Sequence, residues 1–114
     1  MIIYTTLFGF LSGPYIGITL FPFIFINPKY KGNEIIVNHE RIHLRQQIEL
    51  LVIPFYIWYI ISYFVELSKY GKHSKAYYNI IFEREAYINE KKKDYLKTRK
   101  LYAWLNKNNN YGKP

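Results

Sequence analysis

Sixteen residues from Leu50 to Val65 carry no charged side chain, and Pro54 stands near their start. A bilayer core needs about 20 apolar residues, so this stretch is short for a span and reads at least as well as a buried or interfacial helix. Proline inside a helix removes one hydrogen bond and crowds the preceding turn, so a break or kink is expected near Ile53. With no break, a returning helix would set Glu83 beside residues 55–58, roughly 18 Å from His43 at about 1.5 Å per residue. A sharp break leaves arms of about 16 Å (His43 to Pro54) and about 20 Å (Pro54 to Leu67), which close a triangle with the following loop. A simple membrane span over 50–65 and a site shared by His43 and Glu83 therefore exclude each other.

The 114 residues, half of them hydrophobic, suffice for one modest core. We read a single domain over residues 1–106 and a disordered tail over 107–114. Cysteine is absent, which excludes a disulfide framework, a thiolate nucleophile and any thiolate metal site. A transition-metal site must draw on His, Asp and Glu. The net charge of +8 falls entirely within residues 67–114, where twelve Lys and Arg face four acids. The positive field belongs to the C-terminal half.

Met1 to Pro28 contains no charged side chain, yet it lacks the basic start and small-residue end of a cleaved signal. Gly9, Gly13, Pro14, Gly17 and Pro22 weaken any helix there, and Ser12-Gly13-Pro14 is a turn signal between β-branched and aromatic runs. The expectation is a β-hairpin with strands over about 2–10 and 16–26. Pro22 marks the second as an edge strand, and a membrane-inserted segment is the competing reading. From about Ser74 to Asn106 the pattern predicts one long helix, giving an α+β fold with three helices in all.

The residues that carry chemistry are His39-Glu40-Arg41-Ile42-His43, an HExxH pattern. Asn38 is read as the cap of a helix on which His39 and His43 share a face, so two imidazoles can reach one ion. Glu40 lies about 100° around the helix, placed to hold a water rather than the metal. Such a site needs a third protein ligand and an open position. Glu49 is rejected, because a continuing helix turns it about 240° away from His43. His73, in a loop with Lys69, Gly71 and Lys72, is a weaker candidate. The remaining candidates are the acids of Phe82-Glu83-Arg84-Glu85-Ala86-Tyr87.

His39 to His43 followed by Glu83 resembles the gluzincin metallopeptidases, whose third ligand is a glutamate on a separate helix. Glu83 with Ala86 resembles the Glu-x-x-Ala-Asp segment of the heat-shock and prenyl-protein membrane metallopeptidases, with Tyr87 where those families carry aspartate. The run His39 to Gln47 with the 82–87 block is also similar to a group of small, uncharacterised bacterial proteins grouped as metallopeptidases. The resemblance covers about a sixth of the chain. It implies a zincin-like domain, zinc held by His39, His43 and Glu83 with Glu85 as alternate ligand, and hydrolysis of a peptide or protein substrate with Glu40 as general base. His73, Tyr77, Tyr78 and Tyr87 are candidate oxyanion donors. The edge strand near Thr19 to Ile26 is expected to pair with an extended peptide. Gln46 and Gln47 are read as facing solvent, and Glu90 as exposed near Lys93.

The competing class is binding without catalysis. Lys91, Lys92, Lys93, Lys97, Arg99, Lys100 and Lys107, interleaved with Tyr95, Tyr102 and Trp104, suit an anionic membrane surface better than nucleic acid, for which no motif is present. A cytoplasmic location or one peripheral to the inner face of the membrane fits both classes. Nothing in the sequence sets an oligomeric state.

Overall fold

The computed structural model describes residues 1–7 and 16–106. A three-stranded sheet precedes a set of helices, an α+β arrangement. The strands are β1 (Ile2–Tyr4), β2 (Gly17–Leu20) and β3 (Phe23–Ile26), in spatial order β1-β3-β2. β1 runs parallel to β3, and β2 is antiparallel to it with Thr19 opposite Ile24. The expected second strand over 16–26 is thus itself the hairpin. It turns at Phe21-Pro22, a cis peptide bond, so Pro22 sits in the turn and not within an edge strand. β3 has neighbours on both sides, and β2 is an outer strand. The expected extension of the first strand to residue 10 runs into residues 8–15, outside the described residues, as does the expected tail over 107–114.

Alternation along β3 buries Ile24 and Ile26 and leaves Phe23 and Phe25 half-buried. The buried face rests on α1 (Glu34–Glu49), which contributes Ile42. α1 begins five residues earlier than expected, because Asn33 is its cap, accepting from the backbone N–H of Ile35 and Ile36.

Between α1 and α2 (Ile53–Tyr70) the axis turns through 115°. Pro54 opens α2 at a position where a helix has no partner for an N–H, so the break falls where proline costs least. Leu51 and Val52 take φ of 58° and 69°. For a β-branched valine this positive φ, with ψ of −69°, is strained by about 1–3 kcal/mol, held by Val52 N–H donating to the Gln47 carbonyl at 2.7 Å. No single described helix is long and apolar enough to cross a membrane.

α2 ends at Gly71, whose φ of 70° a side chain would resist. The expected single helix over 74–106 is instead three: α3 (His73–Asn79), α4 (Ile81–Asn89) and α5 (Tyr95–Thr98), then a 3-10 turn at Ala103–Leu105. Ile80 is extended (ψ 133°), which breaks α3 from α4 and lets Ile80 and Phe82 both enter the core. That core joins Phe55, Ile80, Phe82 and Trp104, with ring centroids 4.6 Å (Phe55–Phe82) and 5.1 Å (Phe82–Trp104) apart. Burying a phenylalanine contributes about 1.5–3 kcal/mol, and each aromatic pair about 0.5–1.5 kcal/mol more. This cluster holds α2, α4 and the C-terminal turn together, and α4 crosses α1 on its other side.

Candidate metal centre

The crossing of α1 and α4 brings His39, His43 and Glu83 into one buried group able to hold a metal ion. Glu83 Oε1 lies 3.1 Å from His39 Nε2 and 3.0 Å from His43 Nε2, and the two imidazole nitrogens are 3.1 Å apart. The remaining ring nitrogens are also engaged. His39 Nδ1 meets Glu90 Oε1 at 2.7 Å, and His43 Nδ1 meets Gln46 Oε1 at 2.8 Å.

The Gln46 amide is fixed from its other end, where Nε2 donates to the Phe82 carbonyl (3.0 Å) and to Glu85 Oε1 (2.9 Å). Its Oε1 therefore accepts, and His43 Nδ1 donates to it. The Glu90 carboxylate takes the same part for His39. Each Nδ1 carries its proton outward, and both Nε2 atoms converge with Glu83 Oε1.

The electrostatics follow from the same contacts. Burial disfavours a charged His39, but hydrogen bonds to Glu83 and Glu90 outweigh it and lift its pKa to about 10. Burial also opposes charge on His43, and the Glu83 carboxylate raises it nonetheless. Glu83 itself would be raised by burial, yet His43 and His39 hold it well below the usual carboxylate range. The group favours a cation at its centre, whether a proton or a metal.

Glu83 Oε2 accepts from Tyr59 at 2.6 Å. Burial first, and then the Glu83 charge, push the Tyr59, Tyr77 and Tyr87 hydroxyls up, so all three remain protonated donors. The Tyr87 ring meets His39 edge-on with centroids 4.4 Å apart, and its hydroxyl donates to Tyr77 at 3.4 Å. Glu40 is buried one step along α1. The Thr19 hydroxyl lies 2.8 Å from its Oε1 and 3.0 Å from its backbone carbonyl. Gly17 on β2 leaves the room Glu40 occupies, since a Cβ there would come within 3.3 Å of the carboxylate.

Several sequence expectations are corrected at this point. Glu85 is not at the cluster: its oxygens face Arg99, Tyr95 and Gln46, so the alternate ligand is engaged elsewhere. His73 stands outside, exposed, with Nδ1 2.8 Å from the Tyr63 hydroxyl. Gln46 and Gln47 are buried rather than solvent-facing. Gln47 spans to the hairpin, donating to the Thr19 carbonyl (2.8 Å) and accepting from Phe21 N–H (2.9 Å). Those are outward backbone groups of β2, so the edge expected to receive a peptide is covered at Thr19 to Phe21 by the protein itself. In the β2–β3 register Gly17 also points its backbone groups outward, beside Glu40.

Asn38 caps no helix start. It sits within α1 and donates to the carbonyls of Glu90 (2.8 Å) and Lys92 (3.1 Å), closing the end of α4 and holding Glu90 against His39. Glu90 itself is half-buried on His39 rather than exposed beside Lys93. Thr19 and Tyr59 were not assigned a role by sequence reasoning, and Arg99, read there as part of a basic run facing a membrane, instead has its side chain buried on Glu49 and Glu85. Gln46 carried a usable signal, three residues after His43 on the same helix face.

Replacing Gln46 by alanine frees His43 Nδ1 and leaves the Phe82 carbonyl without that donor. Metal affinity is expected to fall about 10–100-fold while the fold persists, a change that competition titration against a chromophoric chelator reads directly. The chain matches no protein-family model, no curated protein and no solved structure.

Proposed function

We propose that this protein is a zinc-dependent metallopeptidase that hydrolyses peptide bonds with Glu40 as general base. One observation carries the reading: two imidazoles whose Nδ1–H groups are tied outward aim both Nε2 lone pairs, together with a carboxylate oxygen, at a single point. The donor set of two histidines and one glutamate suits zinc with one position left open. Tetrahedral zinc with bonds of about 2.0–2.1 Å requires donors about 3.3 Å apart, close to the 3.0–3.1 Å found here.

Zinc bound there would supply Lewis acidity to polarise a carbonyl and to lower the pKa of a water toward neutrality. The chain's own groups account for the remainder. With Thr19 holding Oε1, Glu40 presents Oε2 alongside Gly17 to take the proton of the attacking water and return it to the departing amine. Tyr87, against His39, and its neighbour Tyr77 are the hydroxyl donors best placed for the oxyanion. An extended substrate meets the β2 edge at Gly17, where the outward backbone groups neighbour Glu40.

Glu40→Gln tests this reading. The amide preserves shape and the contact with Thr19 but cannot accept a proton. The zinc-loaded variant is expected to retain one zinc per chain by elemental analysis and to lose at least about 10²-fold to 10⁴-fold in kcat on a fluorogenic peptide library. Cleavage by Glu40→Gln at the wild-type rate would overturn the proposal.

A further inference from the structure

α2 is apolar on both sides. Phe55, Tyr59 and Glu66 turn inward, and the opposite face presents Ile53, Ile57, Ile60, Ile61, Phe64 and Val65, each 47% to 68% exposed. At about 100° per residue these six span an arc of about 140°, and no described element covers them. A helix apolar all round belongs in a core or against lipid, and an uncovered face of this extent is not ordinary surface.

The rim of the face is basic. Glu66, the one acid in the α2 sequence, is buried and accepts from Arg84 at 3.0 Å, so no carboxylate interrupts the exposed stripe. Lys69 and Lys72 lie exposed at the C-terminal end of α2. Along its side, Trp104 packs on Trp58 with centroids 4.8 Å apart, and the same C-terminal segment carries the exposed Leu101, Leu105, Lys100 and Lys97, the last paired with Asp94 at 3.5 Å. Trp58, Tyr70 and Tyr102 stand partly exposed at the margins, the position amphipathic aromatics favour where apolar meets wet.

We propose that this face is a docking surface for an anionic lipid bilayer, with α2 lying in the interface and the lysines on the headgroups. An apolar stripe flanked by cations is the pattern of an interfacial helix, and the net charge of +8 matches a negatively charged leaflet. α2 does not cross the bilayer. The preceding α1, which with it makes a bent pair, carries exposed Arg41 and Arg45 and the buried polar cluster. The inference is independent of the metal centre.

The test is flotation of the full chain with vesicles of phosphatidylcholine alone or mixed with phosphatidylglycerol, at low and high salt. Wild type is expected to float with the mixed vesicles, weakly with phosphatidylcholine, and less as salt rises. Ile57→Ser/Phe64→Ser, surface changes with unaltered circular dichroism, is expected to bind at least about tenfold more weakly to both vesicle types. Removing Lys97 and Lys100 as glutamines is expected to weaken only the anionic binding, by about fivefold per lysine. Failure of wild type to float with mixed vesicles overturns the proposal, as does equal binding by the serine variant. A dimer in sedimentation that Ile57→Ser/Phe64→Ser dissolves, without vesicle binding, would assign the face to a second copy instead.

Discussion

Glu83→Ala and His43→Ala are each expected to abolish stoichiometric zinc binding, where wild type is expected to hold one zinc per chain. Each change removes a donor from a triangle only 3.0–3.1 Å on a side. The loss exceeds the about 10–100-fold caused by deleting a hydrogen-bond partner of a ligand. Glu85 cannot substitute for Glu83, because Arg99, Tyr95 and Gln46 hold both of its oxygens. Thermal melts supply a second reading. Ligand at about a thousandfold over its Kd adds about 4 kcal/mol to the folded state, so a chelator should lower the wild-type Tm and leave Glu83→Ala unmoved. A variant that keeps one tightly held zinc would remove that residue from the site.

The parts of this arrangement that were legible in the sequence are local ones. Four-residue spacing puts His39 and His43 on one helix face, whatever surrounds the helix. Proline is poorly tolerated inside a helix but accepted in its first turn, so Pro54 marks where α2 begins and α1 and α2 part. Glu83 was reached through a second motif and not through any geometry the sequence contains.

What was misread depends on contacts between distant segments. Gln46 and Gln47 have side chains equally at home in water and in a core, and only the crossing of α4 and the hairpin over α1 buries them. Glu90 follows the same logic, since Asn38 must first bind the end of α4 before its carboxylate meets His39. The run from Ser74 to Asn106 keeps helical composition throughout. Burial of Ile80 and Phe82 and the pull of Glu49 and Glu85 on Arg99 override that propensity. The hairpin inside residues 16–26 turns at Phe21-Pro22 without glycine or asparagine, and its one turn signal, Pro22, was read as the mark of an edge strand.

Arg99→Ala is expected to destabilise the protein by about 3–5 kcal/mol, a fall in Tm of about 12–20 °C or more for a chain of this size. The Arg99 side chain is 2% exposed and forks onto Glu49 at 2.8 and 2.9 Å, while its Nε and the shared Nη2 reach Glu85, whose side chain is fully buried. The expected loss does not measure the strength of the ion pairs, which buried charges largely offset by their own desolvation. It arises because two buried carboxylates are left without a cation. Arg99→Lys should recover only part of it, since an ammonium cannot present a planar fork to two acids at once. The deficit should also shrink when the orphaned charges are removed, so Arg99→Met with Glu49→Gln and Glu85→Gln is expected to melt well above Arg99→Met alone. The cluster reaches the metal centre through one residue, because Glu85 accepts from the same Gln46 amide whose oxygen orients His43. Zinc affinity in Arg99→Ala should therefore fall together with stability. The triple variant should separate the two, restoring the melt while its Glu85→Gln change still perturbs Gln46. A melt of Arg99→Ala within a few degrees of wild type would show that Glu49 and Glu85 find other partners, and that the C-terminal segment does not brace the site.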